Sequence, residues 1–157
     1  MDNKRLKFLA KAIELSRQNI DKGGGPFGAV IVKDGQIVSA RANSVFQDKD
    51  PTAHAEMIAI RDAARELETF DLSGCEMYAS CEPCPMCMGA IYWANIDAVY
   101  YANTRFDAQN AGFEDKAIYD ELNLKNENKS IKVEHVVMRD AFSVFESWEK
   151  VREKYGY

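Results

Sequence analysis

The sequence predicts an α/β protein in which helices pack against a mixed five-stranded sheet. Short apolar runs rich in β-branched residues alternate with longer segments whose apolar residues recur every three or four positions. This alternation is typical of a layered α/β sheet. Asp34-Gly35 lies between the first two apolar runs, which predicts a tight hairpin and one antiparallel pair. With 157 residues, 46% of them hydrophobic, the chain is predicted to form a single domain, residues 1–157.

The individual elements follow from the same patterns. Leu6, Leu9 and Ile13 share one helical face near the start of the chain. Helices are predicted over residues 3–20, 53–67, 85–94 and 144–155, and the segment 115–122 is also compatible with a helix. Strands are predicted over residues 27–33, 36–42, 76–80, 98–102 and 131–138. The first strand is the most apolar, so we expect it at the centre of the sheet.

Three glycines, Gly23 to Gly25, precede the first strand. They are not followed by the lysine and serine or threonine of a phosphate-binding loop. We therefore interpret this run as a flexible connection.

The charge balance favours a small-molecule substrate. Asp and Glu outnumber Lys and Arg by 25 to 20, whereas binding to a polyanion depends on many basic contacts. We therefore expect no nucleic-acid partner. Charges interrupt the first fifteen residues, and no apolar run is long enough for a signal peptide or a membrane span, so we expect a cytoplasmic protein with reduced thiols and no membrane partner.

The segment CEPCPMC carries three of the four cysteines. Cys84 and Cys87 are three residues apart, and Pro85 suits the first position of a helix that Cys84 would cap. The positive end of a helix favours the thiolates that metal binding requires, so this pair indicates a zinc site. An iron–sulfur cluster would need a fourth cysteine where the chain has Ile91. A closed structural zinc site that also uses Cys81 stays open at this point.

A histidine can complete the zinc site. His135 follows a strand-like alternation and is interpreted as structural. His54 lies at a predicted helix start, with Glu56 two residues later and Thr52 as the expected cap. One nitrogen and two sulfur ligands would leave the fourth position of one zinc ion open to water, as in catalytic zinc sites. Glu56 would then act as the general acid/base.

The combination of His54-Ala55-Glu56 with Pro83-Cys84-Pro85-Met86-Cys87 is the signature of the zinc nucleobase deaminases. The longer segments GGPFGAVIVKDG, DPTAHAE, SCEPCPMCMGAIYWA and AGFED resemble the short bacterial guanine deaminases, and the likeness extends over nearly the whole chain. The resemblance implies a cytidine deaminase-like α/β/α sandwich. It also implies hydrolytic deamination of a purine, with guanine converted to xanthine and ammonia.

The resemblance further implies a substrate site. Asn43 would hydrogen-bond the base, Phe27 and Trp93 would border its ring, and Asp115 would read the guanine edge. Tyr157, at the C-terminus, would close the pocket of the neighbouring subunit in a domain-swapped homodimer, although Tyr155 is an alternative. Each residue also has a structural interpretation: Asn43 or Asp115 as a cap, and Phe27 or Trp93 as packing.

Three rival functions stay open on the sequence alone. Guanosine or another purine nucleoside needs only a more open pocket. A tRNA adenosine deaminase shares the zinc motifs but needs a basic RNA-binding face. A zinc-stabilised binding module without catalysis would use Cys81 as a fourth ligand and would not need Glu56.

Overall fold

A computed structural model describes residues 3–155 of the chain. The helices are α1 (Asn3–Asp21), α2 (Val45–Asp48), α3 (Ala55–Glu66), α4 (Pro85–Trp93), α5 (Arg105–Asn110), α6 (Asp115–Leu122) and α7 (Ser143–Glu149). The strands are β1 (Gly28–Lys33), β2 (Gln36–Ala42), β3 (Cys75–Cys81) and β4 (Ala98–Asn103). Short 3-10 turns cover Asn126–Asn128 and Arg152–Tyr155. The chain divides into two compact units, Met1–Tyr119 and Asp120–Tyr157.

The sheet of the first unit is mixed, with the order β2-β1-β3-β4. β1 pairs antiparallel with both β2 and β3, while β3 and β4 are parallel. The predicted central position of the first strand is thus confirmed. The predicted hairpin is also confirmed, because Asp34 and Gly35 have φ angles of 50° and 73°, as a tight primed turn requires.

Helices cover both faces of this sheet and produce three layers. On one face, Ala12 of α1 packs with Val30, Val32 and Tyr78. On the other face, alanines of α3 and Ile91 of α4 pack with apolar residues of β1 and β3. The α/β/α sandwich expected from the resemblance is therefore present.

The fifth predicted strand, residues 131–138, is not formed among the described residues. This segment belongs to the second unit, and its side chains are exposed, including Ile131, Val136 and Val137. An apolar, β-branched sequence becomes a strand only when a neighbouring strand pairs with its backbone, and the segment has no such pairing here. The sheet therefore has four strands, and the prediction of a fifth is wrong for the chain as described.

The second unit otherwise consists of short helical pieces. The rings of Trp148 and Tyr155 stack with centroids 5.4 Å apart, and those of Phe142 and Phe145 lie 6.1 Å apart. The predicted last helix is thus split into α7 and a terminal 3-10 turn. Within residues 3–155, no helix has the length and apolar character needed to cross a lipid bilayer.

Candidate active site

The starts of α3 and α4 carry the chemically active residues. His54 is the N-cap residue of α3, with φ −67° and ψ 152°, and Cys84 is the N-cap residue of α4. Pro85 occupies the first turn of α4, as predicted. Thr52 is not the cap that the sequence suggested. Its backbone N–H and its hydroxyl instead donate to Asp50 Oδ1, at 2.8 and 2.7 Å, so the turn before the helix ends at His54.

Three side chains form a cluster with the dimensions of a zinc site. His54 Nδ1 lies 3.6 Å from Cys84 Sγ and 3.6 Å from Cys87 Sγ, and the two sulfurs are 3.6 Å apart. A tetrahedral zinc ion with Zn–S of about 2.3 Å and Zn–N of about 2.0 Å separates its ligands by about 3.6 Å. The cluster therefore fits zinc, with His54, Cys84 and Cys87 as ligands, as predicted.

The electrostatics of the cluster favour a thiolate at Cys84. Hydrogen bonds with Cys87 and with His54 lower the pKa of Cys84 well below that of a free thiol. The pKa of Cys87 is raised, first by its hydrogen bond with Cys84 and then by burial. The hydrogen bond to Cys84 raises the pKa of His54. A divalent cation bound to both sulfurs would stabilise two thiolates at once, so Cys84 and Cys87 could both be deprotonated.

Glu56 is buried beside the cluster, with only 7% of its surface exposed. Burial raises the pKa of its carboxyl to about 7, because the charged form loses solvation. A carboxyl with a pKa near neutrality can both accept and donate a proton at that pH. Its first-turn position in α3 places it next to His54, so the two side chains converge at the helix start.

A cavity of about 280 Å³ opens from this cluster. His54, Glu56 and Cys84 line the part of the cavity next to the metal cluster. The rest of the wall comes from separate segments of the first unit and comprises Gly25, Phe27, Asn43, Val45, Phe46, Glu82, Gly112, Phe113, Glu114 and Asp115. Three of the predicted substrate residues, Phe27, Asn43 and Asp115, are therefore brought to one cavity with the metal cluster.

Asp115 is held in place by the helix that it begins. One turn later, the Tyr119 hydroxyl donates to the carbonyl of Pro83 at 3.1 Å, immediately before Cys84. The guanidinium of Arg105 lies 4.8 Å from the centre of the Tyr119 ring. These contacts fix the start of α6 against the cysteine loop. Burial raises the pKa of Asp115, although this side chain is less enclosed than Glu56.

One predicted substrate residue is not at the cavity, and another lies outside the described residues. Trp93 ends α4, is 78% exposed and does not line the cavity among the described residues. Tyr157 lies outside the described residues, so its contact with a pocket stays a prediction. Tyr155, the alternative, belongs to the second unit, where it stacks on Trp148.

Several cavity residues were missed by the sequence analysis. Phe113 meets Phe27 edge to face, with centroids 4.8 Å apart and an interplanar angle of 79°. Its signal was available, because it lies in the AGFED segment, but only the acidic residue of that segment was singled out. Val45 and Phe46 come from the short helix α2, which has no periodicity to reveal it. Glu82 accepts the Arg105 backbone N–H at 3.0 Å.

The third cysteine is separate from the metal cluster. Cys81 is buried at the end of β3, and its thiol donates to the Thr104 carbonyl at 3.5 Å. Burial raises its pKa to about 11, which favours the neutral thiol. Cys81 lies outside the ligand group found among the described residues, and so does His135. Among the described residues the cluster thus comprises one histidine and two cysteines, without Cys81.

An α/β/α fold that brings one histidine, two cysteines and a buried glutamate together at two helix starts defines a zinc-dependent deaminase. The family model for the cytidine and deoxycytidylate deaminase zinc-binding region matches residues 2–103. The chain belongs to that family, as the sequence motifs indicated.

Individual relatives extend the likeness to nearly the full chain. The guanine deaminase of Bacillus subtilis strain 168 is 46% identical over 151 residues, which cover 96% of this chain and 97% of that protein. The X-ray structure of guanine deaminase from Bacillus subtilis superimposes with a TM-score of 0.91 at 46% identity, covering 96% of this chain and 95% of the other. A tRNA-specific adenosine deaminase of Aquifex aeolicus is 38% identical over 146 residues, covering 92% and 94%.

Proposed function

We propose that this chain is a zinc-dependent guanine deaminase, which converts guanine and water to xanthine and ammonia. One observation carries the proposal: the buried carboxyl of Glu56 and the cluster of His54, Cys84 and Cys87 open into a cavity bordered by Asp115. The full-length likeness to the guanine deaminase of Bacillus subtilis supports the choice of base.

The chain's own residues divide the work of the reaction. Zinc, when bound, supplies a Lewis acid that lowers the pKa of the attacking water. Glu56 accepts the proton that this water loses and delivers it to the ring nitrogen next to the attacked carbon. Glu56 then takes the proton of the hydroxyl that has been added to this carbon and passes it to the amine, which leaves as ammonia while the hydroxyl becomes the carbonyl of xanthine. Burial raises the pKa of Glu56, which favours its role as a proton carrier.

The remaining residues of the cavity wall select the base. In guanine the attacked carbon lies between two ring nitrogens and carries the amine, so the neighbouring edge is rich in hydrogen-bond donors. The carboxylate of Asp115 can accept hydrogen bonds from that edge, whereas adenine has no amine at this position. Asn43 offers a side-chain amide to the base. The Phe27 and Phe113 rings provide an apolar border for the planar ring.

A homodimer is also part of this proposal. β4 is an edge strand, and Tyr92 and Trp93 on the adjoining helix α4 are strongly exposed. In the second unit, the segment 131–138 presents unpaired apolar residues. Exchange of the C-terminal segments between two subunits would pair such a segment as a fifth strand and bring Tyr157 and Trp93 toward a pocket. Sedimentation of the purified protein as a monomer at micromolar concentration would reject this arrangement.

A substrate panel tests the activity. Zinc-loaded protein is assayed for ammonia release from guanine, guanosine, adenine, cytosine, cytidine and a tRNA substrate, with zinc content measured in parallel. We expect turnover of guanine with xanthine as product, and at least about 100-fold lower kcat/KM for adenine, because its donor edge does not match Asp115. Preference for guanosine would assign a nucleoside deaminase. Turnover of tRNA alone would assign the activity named for the Aquifex aeolicus relative.

A further inference from the structure

The last turn of α1 places one buried amide behind the wall of the cavity. Asn19 is 7% exposed, and its Nδ2 group donates to the backbone carbonyl of Gly25 at 2.8 Å and to that of Asn43 at 2.7 Å. Gly25 and Asn43 both line the cavity, one before β1 and one after β2. A single side chain outside the cavity therefore joins two parts of its wall.

The contacts of Asn43 show what this amide controls. The Asn43 backbone N–H donates to the Phe27 carbonyl at 3.0 Å, and its Oδ1 accepts the Val45 N–H at 3.2 Å. Its carbonyl is the group that Asn19 holds. Asn43 is thus fixed at three atoms before a base binds, which reduces the conformational entropy that is lost on binding.

Gly24 shows that the arrangement is tightly packed. A Cβ atom at Gly24 would lie 2.3 Å from Asn19 Nδ2 and 2.6 Å from its Cγ, closer than such atoms can approach. The Gly24 N–H also donates to the Asn19 carbonyl at 2.9 Å. Gly24 and Gly25 are therefore closely packed, and the interpretation of the run as a flexible connection does not hold for these two residues.

We propose that Asn19 is a positioning residue for the base: it acts through Asn43 and Gly25 and sets the shape of the base-binding wall. The inference rests on the proposed guanine deaminase function. Among the described contacts, Asn19 meets neither the metal cluster nor Glu56. Its loss should therefore weaken binding of the guanine base and affect the chemical step less. Such a loss of uniform binding raises KM more than it lowers kcat.

The test compares Asn19→Ala and Gly24→Ala with Gln18→Ala as the matched control. Gln18 carries the same amide group on the same helix, but it is exposed and donates only to Glu14 in the first unit. We expect the Asn19→Ala and Gly24→Ala variants each to raise KM for guanine at least about tenfold, because two buried carbonyls lose their donor. Zinc content should stay at the wild-type value, and Gln18→Ala should change KM by less than about twofold.

The double variant Asn19→Ala/Gly24→Ala tests whether Gly24 acts through Asn19. Once Asn19 is alanine, a Cβ atom at position 24 no longer meets an amide, so adding Gly24→Ala should change KM by less than about twofold. Fully additive effects would overturn the proposal, because they would show that Gly24 acts independently of Asn19. An unchanged KM in either folded single variant would overturn it as well.

Two further outcomes are also decisive. If neither single variant folds, Asn19 is shown to be a structural residue and the positioning role is rejected; if only one folds, that variant decides. If the proposed function itself is wrong, zinc-loaded wild-type protein will not turn over guanine. That result is separate from those of the variants, and it would reject the inference as well.

Discussion

The two sides of the cavity are built in different ways. The metal side comes from two short motifs, each at the start of one helix, so local geometry places Glu56 beside His54 and Cys87 beside Cys84. The base side is assembled from the segments around Phe27, Asn43, the short helix α2 and the loop before α6. Residue spacing alone is therefore enough to reveal the chemistry, whereas the specificity depends on tertiary packing.

The largest effect is expected from removing the metal that the first side is built to hold. Dialysis against a chelator should abolish ammonia release, since the buried thiolates and Glu56 cannot activate water without the ion. Added Zn²⁺ should restore the rate, and mock-dialysed protein is the control. The thermal midpoint should also fall, because the cluster loses the cation that holds α3 and α4 together. Full activity in metal-depleted protein would refute the metal assignment.

Glu56→Gln should have the next largest effect. The amide keeps the size of the side chain but cannot transfer protons, so kcat should fall by about 10² to 10⁴. Zinc content and equilibrium binding of guanine, measured by calorimetry, should stay close to wild type. A folded, zinc-loaded Glu56→Gln protein with normal kcat would instead point to a different proton carrier. Loss of zinc in this variant would show that Glu56 is a metal ligand and not an acid/base.

The same contrast explains how far the sequence predicts the fold. The bounds of β2 were predicted to the residue, because the turn at Asp34-Gly35 is a local signal, and the segment 115–122, expected to be compatible with a helix, forms one. The segment 131–138 was predicted as a strand and is not one in the described chain. Its pattern shows that it could join a sheet, but pairing depends on a partner strand that no local pattern supplies.

Within the site, local signals again succeeded and non-local ones failed. The motifs predicted His54, Cys84 and Cys87 as ligands beside Glu56, and the fold brings these four side chains together. Phe113 was missed, because only its packing against Phe27 shows that it borders the cavity. The glycine run was misjudged for a similar reason: the Asn19 amide that fills the space beside Gly24 belongs to another element.

Asp115→Asn should affect the base side selectively. The amide replaces a carboxylate acceptor with a mixed donor and acceptor, so kcat/KM for guanine should fall about 10- to 100-fold, as for the loss of a hydrogen bond to a charged group. Zinc content should not change. Discrimination against adenine should shrink in the same variant, which a second assay with adenine would measure. If guanine and adenine lose kcat/KM equally, Asp115 does not read the base edge, and the division between the two sides of the cavity would need revision.

Cys81→Ala should have the smallest effect, and it tests whether Cys81 belongs to the metal site. Cys81 is only a few residues from Cys84, but its buried thiol bonds to the Thr104 carbonyl and its raised pKa keeps it neutral. Losing this bond and the sulfur volume should lower the free energy of unfolding by about 1 kcal/mol, measured by urea denaturation. Zinc should stay at one ion per chain, and kcat/KM should change by less than about twofold. Cys84→Ala is the matched control, because it removes an equally buried thiol that is a ligand and should therefore lose both zinc and activity. Zinc loss in Cys81→Ala as well would mean that the ion takes a fourth protein ligand, which would leave no position for the water that Glu56 is proposed to deprotonate.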